Sequence, residues 1–270
     1  MIGQYELKRA LIDRQTLPQF MIISGPAGSG KSLLINNLCK VKLNCDPIEI
    51  STIDDVRDIC LNAVSLQKPQ AYVLNTFDTV NFRTKESILK LCEEPPKHVY
   101  IFIETRNLAR IKQTLTSRAT VFDMLHYSKD ELRQYCLTLD NMTDSECESI
   151  INICNTPGRV RQIHEYSGGK PFIAFCNTVV SNISKVPFSN ALKISNKLKL
   201  KADAKEGYDI DIFFETVSTL ALQNVETIGI DIAYNIISSC SKALQSYYQT
   251  PSLNKQMLFD TWVMNIRGIV

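Results

Sequence analysis

The 270-residue chain lacks a strong charge of either sign, long apolar runs and paired cysteine motifs, and it holds only three histidines. Thirty Lys and Arg against 28 Asp and Glu leave a formal charge of +2, so any nucleic-acid surface must be a local patch. No apolar run approaches the roughly 18–20 residues that span a bilayer. The first residues, Met1 to Glu6, carry neither a basic segment nor an apolar stretch of the secretory kind. A cytoplasmic chain is therefore expected, with no membrane partner. The cysteines are Cys39, Cys45, Cys60, Cys92, Cys136, Cys147, Cys154, Cys176 and Cys240, an odd count with no C-x-x-C pair. They read as reduced, mostly buried small hydrophobes rather than as disulfides or a zinc site. His98, His126 and His164 are too scattered to share a metal and read as surface or interface side chains. Low-complexity segments and internal repeats are absent. What remains, 44% hydrophobic and 21% charged residues, describes a globular protein long enough for two or three domains.

The most informative stretch is Gly25-Pro26-Ala27-Gly28-Ser29-Gly30-Lys31-Ser32. It has the full G-x-x-x-x-G-K-[ST] spacing of a phosphate-binding P-loop. Phe20–Ser24 before it reads as a short buried strand, and Leu33–Leu38 after it as a helix. Glycines let backbone N–H groups approach phosphate oxygens without a Cβ in the way. A helix N-terminus adds partial positive charge. Lys31 is expected to reach the β- and γ-phosphates, and Ser32 to offer its hydroxyl to Mg²⁺.

The rest of the first half alternates. Helical spacing marks residues 3–16. The P-loop helix is expected to run to about Lys40. Strand patterns follow at 48–50, 71–74, 99–103 and 120–122, with helices over 53–63 and 84–94. That order predicts a mostly parallel sheet covered on both faces. After about His126 the strand signals stop. Ser128 and Glu131 have capping-box spacing, and Gly168-Gly169-Lys170-Pro171 is the clearest break. Everything from 171 to 270 reads helical. Lys193, Lys197, Lys201 and Lys205 make an i, i+4 stripe that reads as a solvated helix face.

Ile88-Leu89-Lys90-Leu91-Cys92-Glu93-Glu94-Pro95-Pro96, a strand, and then Thr116-Ser117-Arg118-Ala119 resemble a helix and the Ser-Arg-Cys segment of DNA polymerase clamp-loader subunits. These are AAA+ proteins of the delta-prime, gamma/tau and replication factor C type. Ile2-Gly3-Gln4 resembles the family's Val-Gly-Gln stretch, and Ile53-Asp54-Asp55-Val56-Arg57 its Ile-Arg-Glu-Leu helix. The resemblance covers roughly residues 2–165 and is greatest for delta-prime. It implies an α/β P-loop AAA+ core with a parallel sheet over 1–125, a small helical lid over 126–170 and an all-helical collar domain over 171–270.

The resemblance also implies site roles. The family closes its second strand with an Asp-Glu pair that anchors Mg²⁺ and positions water. Here those positions hold Asn75 and Thr76, which bring no charge to the metal and cannot polarise water as Glu does. Asp78 is the alternative acid. Bound ATP or ADP with Mg²⁺, and weak or absent intrinsic ATPase, is the expectation. Arg118 matches the arginine that touches a neighbour's γ-phosphate, a finger acting in trans. Thr105 matches the polar sensor at the third strand's end. Arg161, with Arg159 as competitor, matches the lid's Gly-x-x-Arg sensor. Arg83 and Lys85 start the helix that would meet a DNA backbone. The family's four-cysteine zinc module is missing, so no zinc is expected.

The sequence thus reads as a subunit of a hetero-oligomeric clamp loader, a compact and divergent one, in a host's cytoplasm if viral. Its partners would be other loader subunits, a sliding clamp and primer-template DNA. The competing readings are a self-sufficient AAA+ motor or loader acting on DNA, separable by strong turnover of the isolated chain, and a nucleotide-free scaffold.

Overall fold

A computed structural model describes residues 3–75, 82–166, 169–200, 206–250 and 253–268. The chain forms two compact units, one of residues 1–131 with 156–158, the other of 132–155 with 159–270.

The first unit is built on five strands: β1 (Phe20–Ser24), β2 (Ile48–Glu49), β3 (Gln70–Leu74), β4 (Val99–Thr105) and β5 (Thr120–Asp123). They lie in the order β2-β3-β4-β1-β5, and every pairing is parallel. The helices are α1 (Tyr5–Ile12), α2 (Lys31–Leu38), α3 (Ile53–Asn62), α4 (Phe82–Glu93) and α5 (Gln113–Thr116). A parallel sheet needs cover on both faces, which is why its central strands are apolar throughout. Successive residues serve opposite faces. Phe20, Ile22, Tyr72, Leu74, Ile101 and Ile103 pack with Val56, Ile59, Ile88 and Leu91 of α3 and α4. Met21, Ile23, Ala71, Val73 and Phe102 pack with Leu11 of α1 and with Leu34, Ile35 and Leu38 of α2.

Several boundaries differ from the sequence reading. The first helix spans only Tyr5–Ile12, and its start is set by Gln4, which is left-handed at φ 58° and bonds its side chain to the Leu125 backbone. Past Leu38 the P-loop helix widens into a π-helical turn, Cys39–Leu43, closed by left-handed Asn44. The strand at 48–50 shrinks to two exposed residues at the sheet edge. The third predicted strand is two residues longer and takes in Glu104 and Thr105. Thr52 and Asp55 form a capping box on α3, and Ser128 and Glu131 bond reciprocally at the start of α6 (Lys129–Cys136).

The second unit is helical: α7 (Asp144–Ile151), α8 (Pro157–His164), α9 (Lys170–Asn182), α10 (Phe188–Leu192), α11 (Ile210–Gln223), α12 (Val225–Ile228), α13 (Ile230–Gln249) and α14 (Lys255–Ile266) carry it, α8 starting within the first unit. Phe172, Phe213, Phe214, Phe259 and Trp262 fill its core. Phe213 and Trp262 meet edge to face at 5.4 Å, and the Trp262 indole N–H donates to Cys240 Sγ at 3.2 Å. Six of the nine cysteines are buried, as small hydrophobes. The lysine stripe does not form on one helix. After α10 a 3-10 turn covers Lys193–Lys197, and then Leu198 turns extended and bridges Tyr208. The strand-like bond from Lys199 N–H to Tyr208 C=O, 2.8 Å, takes the backbone out of helical register. Lys201 and Lys205 lie outside the described residues. No helix among the described residues is long and apolar enough to cross a membrane.

Candidate nucleotide-binding site

The P-loop sits where β1 ends and α2 begins, at the C-terminal edge of the sheet. Gly30, the residue before α2, has φ 89°, a region closed to most side chains. It brings no side-chain cap, so the first N–H groups of α2 are left as a cluster of donors at the helix's positive end.

Five successive carbonyls of this turn accept hydrogen bonds. Lys31 Nζ donates to Gly25 O at 2.8 Å and to Pro26 O at 2.9 Å. Thr156 Oγ1 donates to Ala27 O at 2.8 Å, Gly158 N–H to Gly28 O at 2.9 Å, and the Tyr127 hydroxyl to Ser29 O at 2.7 Å. In a trans peptide the N–H points away from the C=O before it. Each held carbonyl therefore turns the N–H of its own peptide, among them those of Ala27, Gly28 and Gly30, away from the group that holds it. Gly158 makes this possible by direct backbone contact: a Cβ there would lie 2.5 Å from Gly28 Cα. Ser29 Oγ is buried with no hydrogen-bond partner among the described residues.

Gly3 and Gln4 buttress the same region. The Gln4 amide exchanges two hydrogen bonds with the Leu125 backbone, 2.6 and 2.8 Å. A Cβ on Gly3 would lie 2.8 Å from the ring of Tyr127. The Gly-Gln pair thus fixes the segment that delivers Tyr127 to the P-loop.

The adjoining strand ends supply polar atoms. Glu104 is 6% exposed and accepts from the Ser32 hydroxyl at 3.1 Å. Burial raises its carboxyl above the ordinary range, with the Ser32 hydroxyl and Lys31 opposing the rise. Thr105 is buried, and its hydroxyl both donates to Asn107 O and accepts from Asn107 N–H, each 3.1 Å. Asn75 follows β3, and its Oδ1 is buried without a partner among the described residues.

The other predicted residues are more dispersed. Thr76 and Asp78 lie outside the described residues, as do the side chains of Arg83 and Lys85, although α4 begins at Phe82. Arg118 is exposed, donating to Thr114 O one turn back at 2.7 Å and pairing with Glu93 at the end of α4 at 3.4 Å. In the second unit Arg161 is exposed and pairs with Glu165 at 2.8 Å. Its competitor Arg159 is buried against Asp211 and Glu215, each 2.8 Å away. Sequence reasoning passed over Glu104, Tyr127 and Thr156. A carboxylate closing an otherwise apolar strand was the one legible signal. The other two residues reach the P-loop from 98 and 129 positions away.

Residues 35–128 match the family described as DNA polymerase III, delta subunit. No protein with curated annotation matches the sequence. Among solved structures, a DNA polymerase III gamma subunit-related protein of Thermotoga maritima superposes with a TM-score of 0.51 at 12% identity, covering 97% of this chain and 98% of that one. A single-residue variant of RuvB from the same organism gives 0.51 at 16% identity, covering 92% and 85%. Another gives 0.50 at 15%, covering 93% and 86%. At these identities the likeness speaks for the fold. The chain therefore has an AAA+ fold, a five-stranded parallel sheet with flanking helices and a helical C-terminal part, and within it residues 35–128 are similar to the DNA polymerase III delta subunit family.

Proposed function

We propose that the chain is a clamp-loader subunit, most like delta-prime, that holds ATP or ADP at its P-loop and works within a hetero-oligomeric AAA+ ring. The observation that carries the nucleotide part is the cradle. Five carbonyls are tied back, a helix N-terminus opens beside them, and the buried Ser29 hydroxyl has no partner among the described residues. Those features suit a ligand rich in phosphate oxygens. Lys31 would bring its ammonium to the phosphates by leaving the carbonyls of Gly25 and Pro26. Mg²⁺ bound with the nucleotide would offset phosphate charge, and Ser32 and Asn75 offer oxygens to hold it. Thr105 and Arg161 would sense the phosphates.

Asn75 at the end of β3 is not a carboxylate, which argues for retention of nucleotide rather than rapid cleavage. Arg118 would act on a neighbour's site. Its pairing with Glu93 is exposed, and such pairs contribute only about 0–1 kcal/mol, so assembly can redirect it at little cost. Arg83 and Lys85 would face the phosphate backbone of primer-template DNA. The family match over residues 35–128 supports the clamp-loader setting.

Affinity copurification with mass spectrometry tests this reading. A sliding clamp or polymerase subunits should accompany the chain, and Arg118→Ala should lower the assembly's ATPase while leaving the chain's own nucleotide binding intact. A chain that purifies alone and turns over ATP rapidly would overturn it.

A further inference from the structure

We propose that the metal-anchoring acid missing from β3 is supplied one strand over, by Glu104 at the end of β4. Glu104 would hold the Ser32 hydroxyl and, together with Asn75, present oxygens to the divalent cation of the bound nucleotide. This rests on the nucleotide reading above and adds to it.

The placement follows from the sheet. Along β4, Ile101 and Ile103 pack toward α3 and α4, and Phe102 packs toward α1 and α2. Side chains alternate along a strand, so Glu104 falls on the face of Phe102, the face of the P-loop helix. The contact to Ser32, 3.1 Å, is the result. On β3, Ala71 and Val73 share that face, and Asn75 follows in the same alternation. Leu74 pairs with Ile103, so the next step brings Asn75 level with Glu104. Two neighbouring strand ends and the start of α2 thus converge.

The polar accounting points to a ligand. Glu104 Oε1 and Asn75 Oδ1 are both buried, and neither has a hydrogen-bond partner among the described residues. A buried acceptor left unmade costs on the order of 1–3 kcal/mol, more when charged. A carboxylate oxygen, an amide oxygen and a hydroxyl are the donor set of a hard cation such as Mg²⁺. In this arrangement Glu104 serves the metal rather than the attacking water.

The test compares affinity for a fluorescent ADP analogue in Mg²⁺ and in EDTA. Wild type should bind more tightly with Mg²⁺. Glu104→Gln keeps the shape and removes the charge. It should not weaken the affinity measured in EDTA, where the lost charge only relieves repulsion of the phosphates, and it should lose about tenfold or more of the gain from Mg²⁺, the scale seen when groups orienting metal ligands are removed. Adding Asn75→Asp to Glu104→Gln should restore the gain, because the acid returns to β3. An unchanged Mg²⁺ gain in Glu104→Gln, or an equal loss with and without metal, would overturn this proposal alone. Wild type that binds in neither condition would overturn the nucleotide reading along with it. Should Glu104→Gln fail to fold, Asn75→Asp alone is expected to raise the Mg²⁺ gain, and no change would overturn the proposal.

Discussion

Gly158→Ala is the sharpest probe of how the P-loop is held. The new Cβ would lie 2.5 Å from Gly28 Cα and 2.9 Å from Gly28 O, both backbone atoms that cannot swing aside. Carbon atoms sit comfortably at about 3.5–4.0 Å, so one backbone must retreat by roughly 1 Å. That retreat stretches the bond from Gly158 N–H to Gly28 O, now 2.9 Å. Overpacking costs about 1–3 kcal/mol and a hydrogen bond about 0.5–1.5 kcal/mol, so a loss of about 2–4 kcal/mol is expected. Urea denaturation measures it, and the nucleotide affinity should fall with it because the Gly28 peptide is displaced. Thr156→Val is the milder comparison, removing only the hydroxyl that donates to Ala27 O. A Gly158→Ala protein within about 0.5 kcal/mol of wild type, the range of ordinary surface changes, would refute the close backbone contact.

Other perturbations follow from single contacts. Arg159→Met should cost about 3–5 kcal/mol by denaturation, because Asp211 and Glu215 lose the charge that both of them bind, and Glu215→Gln in that background should recover part of it. Trp262→Ala empties the centre of the helical unit and should cost about 3–5 kcal/mol, with loss of the only tryptophan's fluorescence as a marker. The Glu146 carboxylate, 2.5 Å from His164, raises the imidazole pKa above its ordinary value. The stabilisation is complete below pH of about 6.5 and fades as pH climbs through the raised pKa. The difference in melting temperature between wild type and His164→Gln should therefore be larger at pH 6 than at pH 9, and a gap that widens toward alkaline pH would refute the pairing.

The parallel sheet was legible because Phe20-Met21-Ile22-Ile23 and Val99–Ile103 must be buried on both faces, and each is followed by turn residues. The P-loop was legible because its chemistry is local, eight consecutive residues with fixed spacing. What escaped depends on contacts distant in sequence. Tyr127 and Thr156 carry no local mark of their role; only the folded chain brings them to Ser29 O and Ala27 O. Glu104 was visible as the charged end of a strand. Its face follows from alternation, but its neighbour Ser32 follows only from the β1–β4 pairing. The lysine stripe failed for the converse reason. Helical spacing was present, yet pairing of Leu198 with Tyr208 overrode it. Asn75, read in the sequence as a lost acid, takes on a different meaning beside Glu104.

The central claim is that the Gly25–Ser32 turn holds nucleotide. Titration of a fluorescent ADP or ATP analogue into wild type and Lys31→Ala, with folding of both checked by circular dichroism, tests it most directly. Saturable binding by wild type that Lys31→Ala loses is the expected result. No binding by folded wild type, or equal binding by the two proteins, would contradict the account.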